Sequence, residues 1–193
     1  MSFSVGRIRG RLWGDTKQAV SCIEEQSFNV SCKNEREFEI QVYNRLDALK
    51  GQLNYDVIGQ FNNSQKVASS DFFGKKHRPD MSIKDDGTAI ELKYIKRSLD
   101  SVKTALGQGF VYRKTYKFVV LVLIVAKDHE NVYNEAYMDH RENSDLDHIF
   151  YKLAEDNIFT MIKPAFVPKS GYGKITKKLI RAELLARGDL AGV

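Results

Sequence analysis

Nine consecutive residues, Phe118 to Ala126, carry no polar side chain, and Lys117 and Lys127 bracket them. A helix needs about 20 apolar residues to cross a bilayer, so this run is no membrane span. Its even- and odd-numbered positions are equally apolar. A strand half-exposed on a sheet would alternate, so this one reads as a central strand covered on both faces. The chain must therefore lay other elements on both sides of a sheet.

The rest of the sequence supplies such elements. Asn34 reads as a helix N-cap with Glu37 at the third helical position, a capping box. Phe38, Val42, Leu46 and Leu49 follow at helical spacing, and Gly51 closes the segment. Residues 52–78 are polar and irregular, with a short strand expected at 55–58. Pro79–Lys84 and Thr88–Ile95 alternate as strands around the turn signal Asp85-Asp86-Gly87. A helix is expected over 98–114, with Val102, Leu106 and Phe110 on one face. Another is expected over 145–156, then a strand over 158–165 and a last helix over 174–187. This order predicts an α/β (α+β) architecture, a mixed β-sheet flanked by helices.

Length and composition agree with that class. The chain has 193 residues, of which 42% are hydrophobic and 28% charged, so wholesale disorder is excluded and one main domain is expected. Cys22 and Cys32 make no disulfide framework and no zinc spacing, and they read as reduced thiols of a cytoplasmic protein. Arg7, Arg9 and Arg11 interrupt any apolar stretch at the start, which argues against a secretory signal. The net charge of +5 is unevenly spread: +3 over residues 1–20, +5 over 163–193 and −3 between them. We accordingly expect a basic N-terminal appendage at 1–30, a core at 31–165 and a basic C-terminal helix packed on it at 166–193. Basic ends around an acidic middle suit a protein that grips phosphates and cuts between them with a metal. Terminal lysines that merely solubilise a helix are the plainer alternative.

The acidic middle holds the most specific constellation. If Asp86-Gly87 form a two-residue loop, Asp80 lies opposite Lys93 and Ser82 opposite Glu91. Side chains alternate along strands, so residues 80, 82, 91 and 93 share one face. Met81, Ile83, Ile90, Leu92 and Tyr94 take the other, an apolar set fit to cover a core. Two carboxylates so close repel each other when ionised, and a hard cation such as Mg²⁺ removes that repulsion. A lysine beside them can position or help deprotonate an attacking water and stabilise charge building on phosphorus. Ordinary salt bridging on a surface hairpin is the alternative.

Pro79-Asp80, ten residues, then Glu91-Leu92-Lys93 resemble the motif of the PD-(D/E)XK nuclease superfamily. Gln108 and Tyr112 are similar to the Q-x-x-x-Y element of many of its members. The run Glu35-Arg36-Glu37-Phe38 resembles that of the archaeal Holliday-junction resolvases. The likeness covers residues 34–126. It implies a restriction-endonuclease-like core in which Asp80, Glu91 and the Leu92 backbone carbonyl bind metal and Lys93 is catalytic. It further implies that Gln108 orients the lysine or a phosphate, and that Glu35 or Glu39 adds one more acid.

Lys75, Lys76, His77 and Arg78 run straight into Pro79 and would contact the nucleic-acid backbone beside the scissile phosphate. Tyr112, Lys174 and Lys177 are further candidates for nucleic-acid contact, and Tyr172, between two glycines, could stack on a base. Asp139, His140, Asp145, Asp147 and His148 fit no standard zinc spacing and read as a solvated loop and helix start. The resulting expectation is a metal-dependent endonuclease that hydrolyses phosphodiester bonds in DNA, with RNA the lesser option. It would use Mg²⁺, with Mn²⁺ able to substitute, and no membrane. It would be a homodimer if it cuts both strands. Restriction, phage-defence, homing and junction-resolving roles all remain open. The contrasting expectation is a nucleic-acid-binding or interaction protein whose nuclease-like fold does not cut.

Overall fold

The computed structural model describes residues 10–28, 34–60, 66–95, 100–130 and 145–166. Helix α1 (Arg11–Glu25) and helix α2 (Glu35–Asp47) come first. Strands β1 (Val57–Gly59), β2 (Ser70–Phe72), β3 (Lys75–His77), β4 (Met81–Ile83) and β5 (Thr88–Ile95) follow. Helix α3 (Asp100–Tyr112), strand β6 (Phe118–Val125), helix α4 (Asp145–Glu155) and strand β7 (Ile158–Pro164) complete the order. The expected C-terminal helix over 174–187, with Lys174, Lys177 and Tyr172, lies outside the described residues. So do Asp139, His140 and the side chains of Asp145, Asp147 and His148.

The apolar run is where its composition requires. All of β6 is buried, and it lies in a five-stranded mixed sheet of order β1-β4-β5-β6-β7. β5 and β7 flank it in parallel, whereas β1–β4 and β4–β5 are antiparallel. Val120, Val122 and Ile124 face α1 and α2 through Ala19, Val20, Ile23, Phe38, Val42 and Leu46. Val119 and Leu121 face α3 and α4 through Tyr112, Phe150 and Leu153. The result is three layers, helices on both sides of one sheet.

Three local expectations change. Residues 11–25, placed in a basic appendage, form a helix that belongs to the core. Its buried Asp15 accepts the backbone N–H groups of Asn54 and Tyr55 at 2.9 Å and the Asn54 amide at 2.7 Å. The polar stretch 52–78 is not wholly irregular, because β2 and β3 pair as a separate hairpin. The buried face of α3 runs through Ala105, Gly109 and Tyr112, which leaves Phe110 51% exposed.

The β4–β5 register also differs by two residues. Ser82 lies opposite Ala89 rather than Glu91, and Ile83 opposite Thr88. The connection is therefore the four residues Lys84–Gly87. The neighbouring chain explains the length: Asp86 and Gly87 give their carbonyls to the N–H groups of Lys117 and Phe118. They act as the lead-in to β5 beside β6, so the reversal falls earlier. A slip of two preserves face parity. Met81, Ile83, Ile90, Leu92 and Tyr94 indeed pack in one apolar cluster.

Candidate active site

Continuing the observed register one step places Asp80 opposite Glu91. Both side chains and that of Lys93 project from the sheet face that α3 covers. β4 ends its pairing at Met81–Ile90, and beyond that point the edge of β5 needs other acceptors. Carboxylates supply them. Asp80 Oδ2 accepts the Leu92 N–H at 2.7 Å, and Glu35 Oε2 accepts the Tyr94 N–H at 2.8 Å. The two acids thus complete a strand edge and are positioned by it.

Glu35 reaches this edge because Asn34 starts α2 beside it. The Asn34 side chain accepts the Glu37 N–H at 3.0 Å, the N-cap bond expected from sequence. Glu37 is tied to the Asn34 amide at 2.6 Å and is thereby withdrawn from the site. The other oxygen of Glu35 takes the Lys93 ammonium at 2.9 Å, and Glu91 lies 3.5 Å from the same nitrogen. Glu39 is buried, 3.1 Å from Arg36, and its charge is felt at Asp80.

The electrostatics follow from burial. Desolvation, with the Glu91 charge next, pushes the Asp80 carboxyl up to about 8 despite the Leu92 N–H bond. Desolvation also lifts Glu91, to about 7, against the pull of Lys93 and Tyr112. Burial works against the charge of Lys93, but Glu91, Glu35 and Asp80 outweigh it and keep the ammonium protonated. A positive charge beside Asp80, in the bend before β4, and Glu91 on β5 would favour their ionised forms.

Tyr112 is 1% exposed, so it is not available to a nucleic acid as its place among the binding residues required. Its hydroxyl sits 3.1 Å from both Glu91 Oε2 and the Arg78 carbonyl. One proton cannot serve both acceptors fully. When Glu91 is protonated, the chain Glu91 to Tyr112 to Arg78 carbonyl satisfies all three groups. Burial chiefly, and Glu91 next, raise the phenol well above its ordinary value. Gln108 lies one turn earlier on α3; its Oε1 is buried and bonds to nothing among the described residues, Lys93 included. Lys75, Lys76 and Arg78 are exposed on and after β3. Leu92 buries its side chain in the core.

Among the described residues no three His, Cys, Asp or Glu side chains form a ready-made metal cage. Glu35 is held most closely by Lys93 and Glu39 by Arg36; the two raised carboxyls, Asp80 and Glu91, are the remaining candidates, each itself with a partner in the chain. Two carboxylates suit Mg²⁺, a hard cation that keeps several waters and is often bound through one or two acids. The chemistry of these two acids therefore fits such an ion. Sequence reasoning missed the roles of Glu35 as strand-edge acceptor and Tyr112 as partner of Glu91, since both depend on packing between distant elements. No family model, curated protein or solved structure matches the chain. No helix among the described residues is long and apolar enough to cross a membrane.

Proposed function

We propose that the protein is a metal-dependent phosphodiesterase acting within DNA, an endodeoxyribonuclease of the PD-(D/E)XK type with a restriction-endonuclease-like core. The observation that carries this reading is the nearness of Asp80, just before β4, to Glu91 on β5, both desolvated and raised, beside a protonated Lys93. The antiparallel-then-parallel strand order around them agrees with it. Asp80, Glu91 and the Leu92 backbone carbonyl would hold Mg²⁺ or Mn²⁺. When bound, the ion supplies Lewis acidity toward a phosphate oxygen and offsets the two acids.

The remaining work falls to the chain. Lys93, charged and fixed by Glu35, stabilises negative charge that develops on the phosphate as water attacks in line. Tyr112 orients Glu91, and Gln108, one turn earlier on α3 with a buried, unsatisfied Oε1, would orient Lys93 or a phosphate. The exposed Lys75, Lys76 and Arg78 hold flanking phosphates. Lys93→Ala should lower Mg²⁺-dependent cleavage on the order of 100-fold or more while DNA binding persists. Undiminished cleavage by that variant would sink the assignment. A panel of linear duplex, four-way junction, single-stranded DNA and RNA identifies the substrate, and sedimentation with and without duplex tests the homodimer.

One observation favours a second reading, a nucleic-acid-binding protein that does not cut. Asp80 and Glu91 already have partners within the chain, namely the Leu92 N–H, Tyr112 and Lys93. Calorimetry separates the two. The nuclease takes up Mg²⁺ or Mn²⁺ in a manner abolished by Asp80→Asn, and the binding protein does not.

A further inference from the structure

The β2–β3 hairpin breaks a local rule at its tip. Phe72 pairs with Lys75, so Phe73-Gly74 form a two-residue connection. Both have positive φ, 48° and 71°, as a type I′ turn demands. Asn or Gly is the ordinary first residue of such a turn, and a bulky side chain there costs energy. Phe73 is also 89% exposed and gains little from burial. An aromatic ring that helps neither its turn nor the core has another use to explain it.

The hairpin around that ring is anchored. Ser70 is buried and donates to Thr115 Oγ1 at 2.8 Å, the Lys114 ammonium donates to the Asp71 carbonyl at 2.6 Å, and Tyr116 donates to the Ala68 carbonyl at 2.7 Å. Phe72 supports the tip, its ring centroid 4.4 Å from that of Phe73, with Lys114 5.7 Å from the Phe72 centroid. Exposed Lys75, Lys76 and Arg78 stand against the single acid Asp71. The strand then leads directly through Pro79 to Asp80. Six residues lie between tip and site, so the two are at most about 24 Å apart along extended chain.

We infer that this hairpin is a nucleic-acid wedge: Phe73 stacks on an unpaired or unstacked DNA base while Lys75, Lys76 and Arg78 neutralise the adjacent phosphates. The inference rests on the nuclease reading for its choice of DNA, and it narrows the substrate to duplexes carrying a distorted or unpaired step. A base presents a π-face to any aromatic platform, and the basic flank supplies the complement to a polyanion. The combination fits a strand bearing both bases and phosphates better than an apolar peptide.

The test uses the full chain without divalent metal and a duplex containing one unpaired 2-aminopurine. Wild type should change the probe's emission on binding. Phe73→Ala should weaken binding roughly 5- to 100-fold and abolish that change, with the salt slope intact. Phe73→Trp should restore both. Lys75→Ala/Lys76→Ala should keep the emission change and reduce the slope of log K against log salt by about 1.8. Wild-type affinity and emission in Phe73→Ala would overturn the inference, as would Phe73-dependent binding to anionic phospholipid vesicles with none to the duplex. Because no cleavage is read, the two proposals fail separately. A chain that shows the Phe73 effect yet never cuts with Mg²⁺ loses only the nuclease reading. A chain that cuts, and whose Phe73→Ala variant binds normally, loses only the wedge.

Discussion

Asp80 and Glu91 are held in a state that disfavours their own ionisation, and this makes the protein's stability depend on pH. Each carboxyl is ordinarily deprotonated above about 4, but burial keeps them protonated in the fold up to about 8 and about 7. Between those limits the folded chain binds more protons than the unfolded one, so stability falls as pH rises. Lys93, raised from an already high value, contributes stability that is constant across this window. In EDTA the melting temperature should drop between about pH 5 and pH 8, and Asp80→Asn should flatten the profile. A slope equal in wild type and variant would contradict the burial account. If Asp80 and Glu91 hold Mg²⁺ as proposed, the added ion should recover more stability at pH 8 than at pH 5, because deprotonated acids bind it best. None of these shifts was legible in the motif. The letters name two acids and a lysine, whereas their burial under α3 and the reach of Glu35 come from packing.

At the scale of elements, the β4–β5 hairpin carries the site and its turn sets the register. A Cβ on Gly87 would stand 2.3 Å from the Ile83 carbonyl oxygen and 2.7 Å from Leu12 Cδ1. The first neighbour is backbone and cannot yield without reshaping the turn. Gly87→Ala should therefore cost about 1–3 kcal/mol, read from the denaturant midpoint; under the proposed nuclease function it should also lower cleavage, because Asp80 and Glu91 lose alignment. An unchanged midpoint would show that the turn is not the determinant. The alternation of the two strands was readable, and so was the shared face of Asp80, Glu91 and Lys93, because parity survives a slip of two. The register itself was not. It depends on Lys117 and Phe118 claiming the carbonyls of Asp86 and Gly87, a contact across thirty residues.

At the scale of the whole molecule, α1 ties the three parallel strands β5, β6 and β7 to the loop before β1. Trp13 packs with its ring centroid 5.1 Å from that of Phe118 and 5.3 Å from that of Phe159. Thr16 meets Thr88 at 2.7 Å. Trp13→Ala should cost about 3–5 kcal/mol in equilibrium unfolding, whereas removal of a ring from a mere appendage would cost almost nothing. The +3 balance of residues 1–20 concealed this helix, although α1 itself carries only two basic and three acidic residues and turns Trp13, Ala19, Val20 and Ile23 to the core.

The sequence by itself determined the sheet's centre, the capped start of α2 and the strand parity that gathers Asp80, Glu91 and Lys93. These depend on periodicity and nearest neighbours, which are written locally. Only the tertiary structure decided which carboxylate meets which distant partner: Glu35 on Lys93 and the β5 edge, Tyr112 on Glu91. Such pairings join residues far apart in the chain. Their energies, like the raised carboxyls of Asp80 and Glu91, arise from the loss of water when layers close on one another.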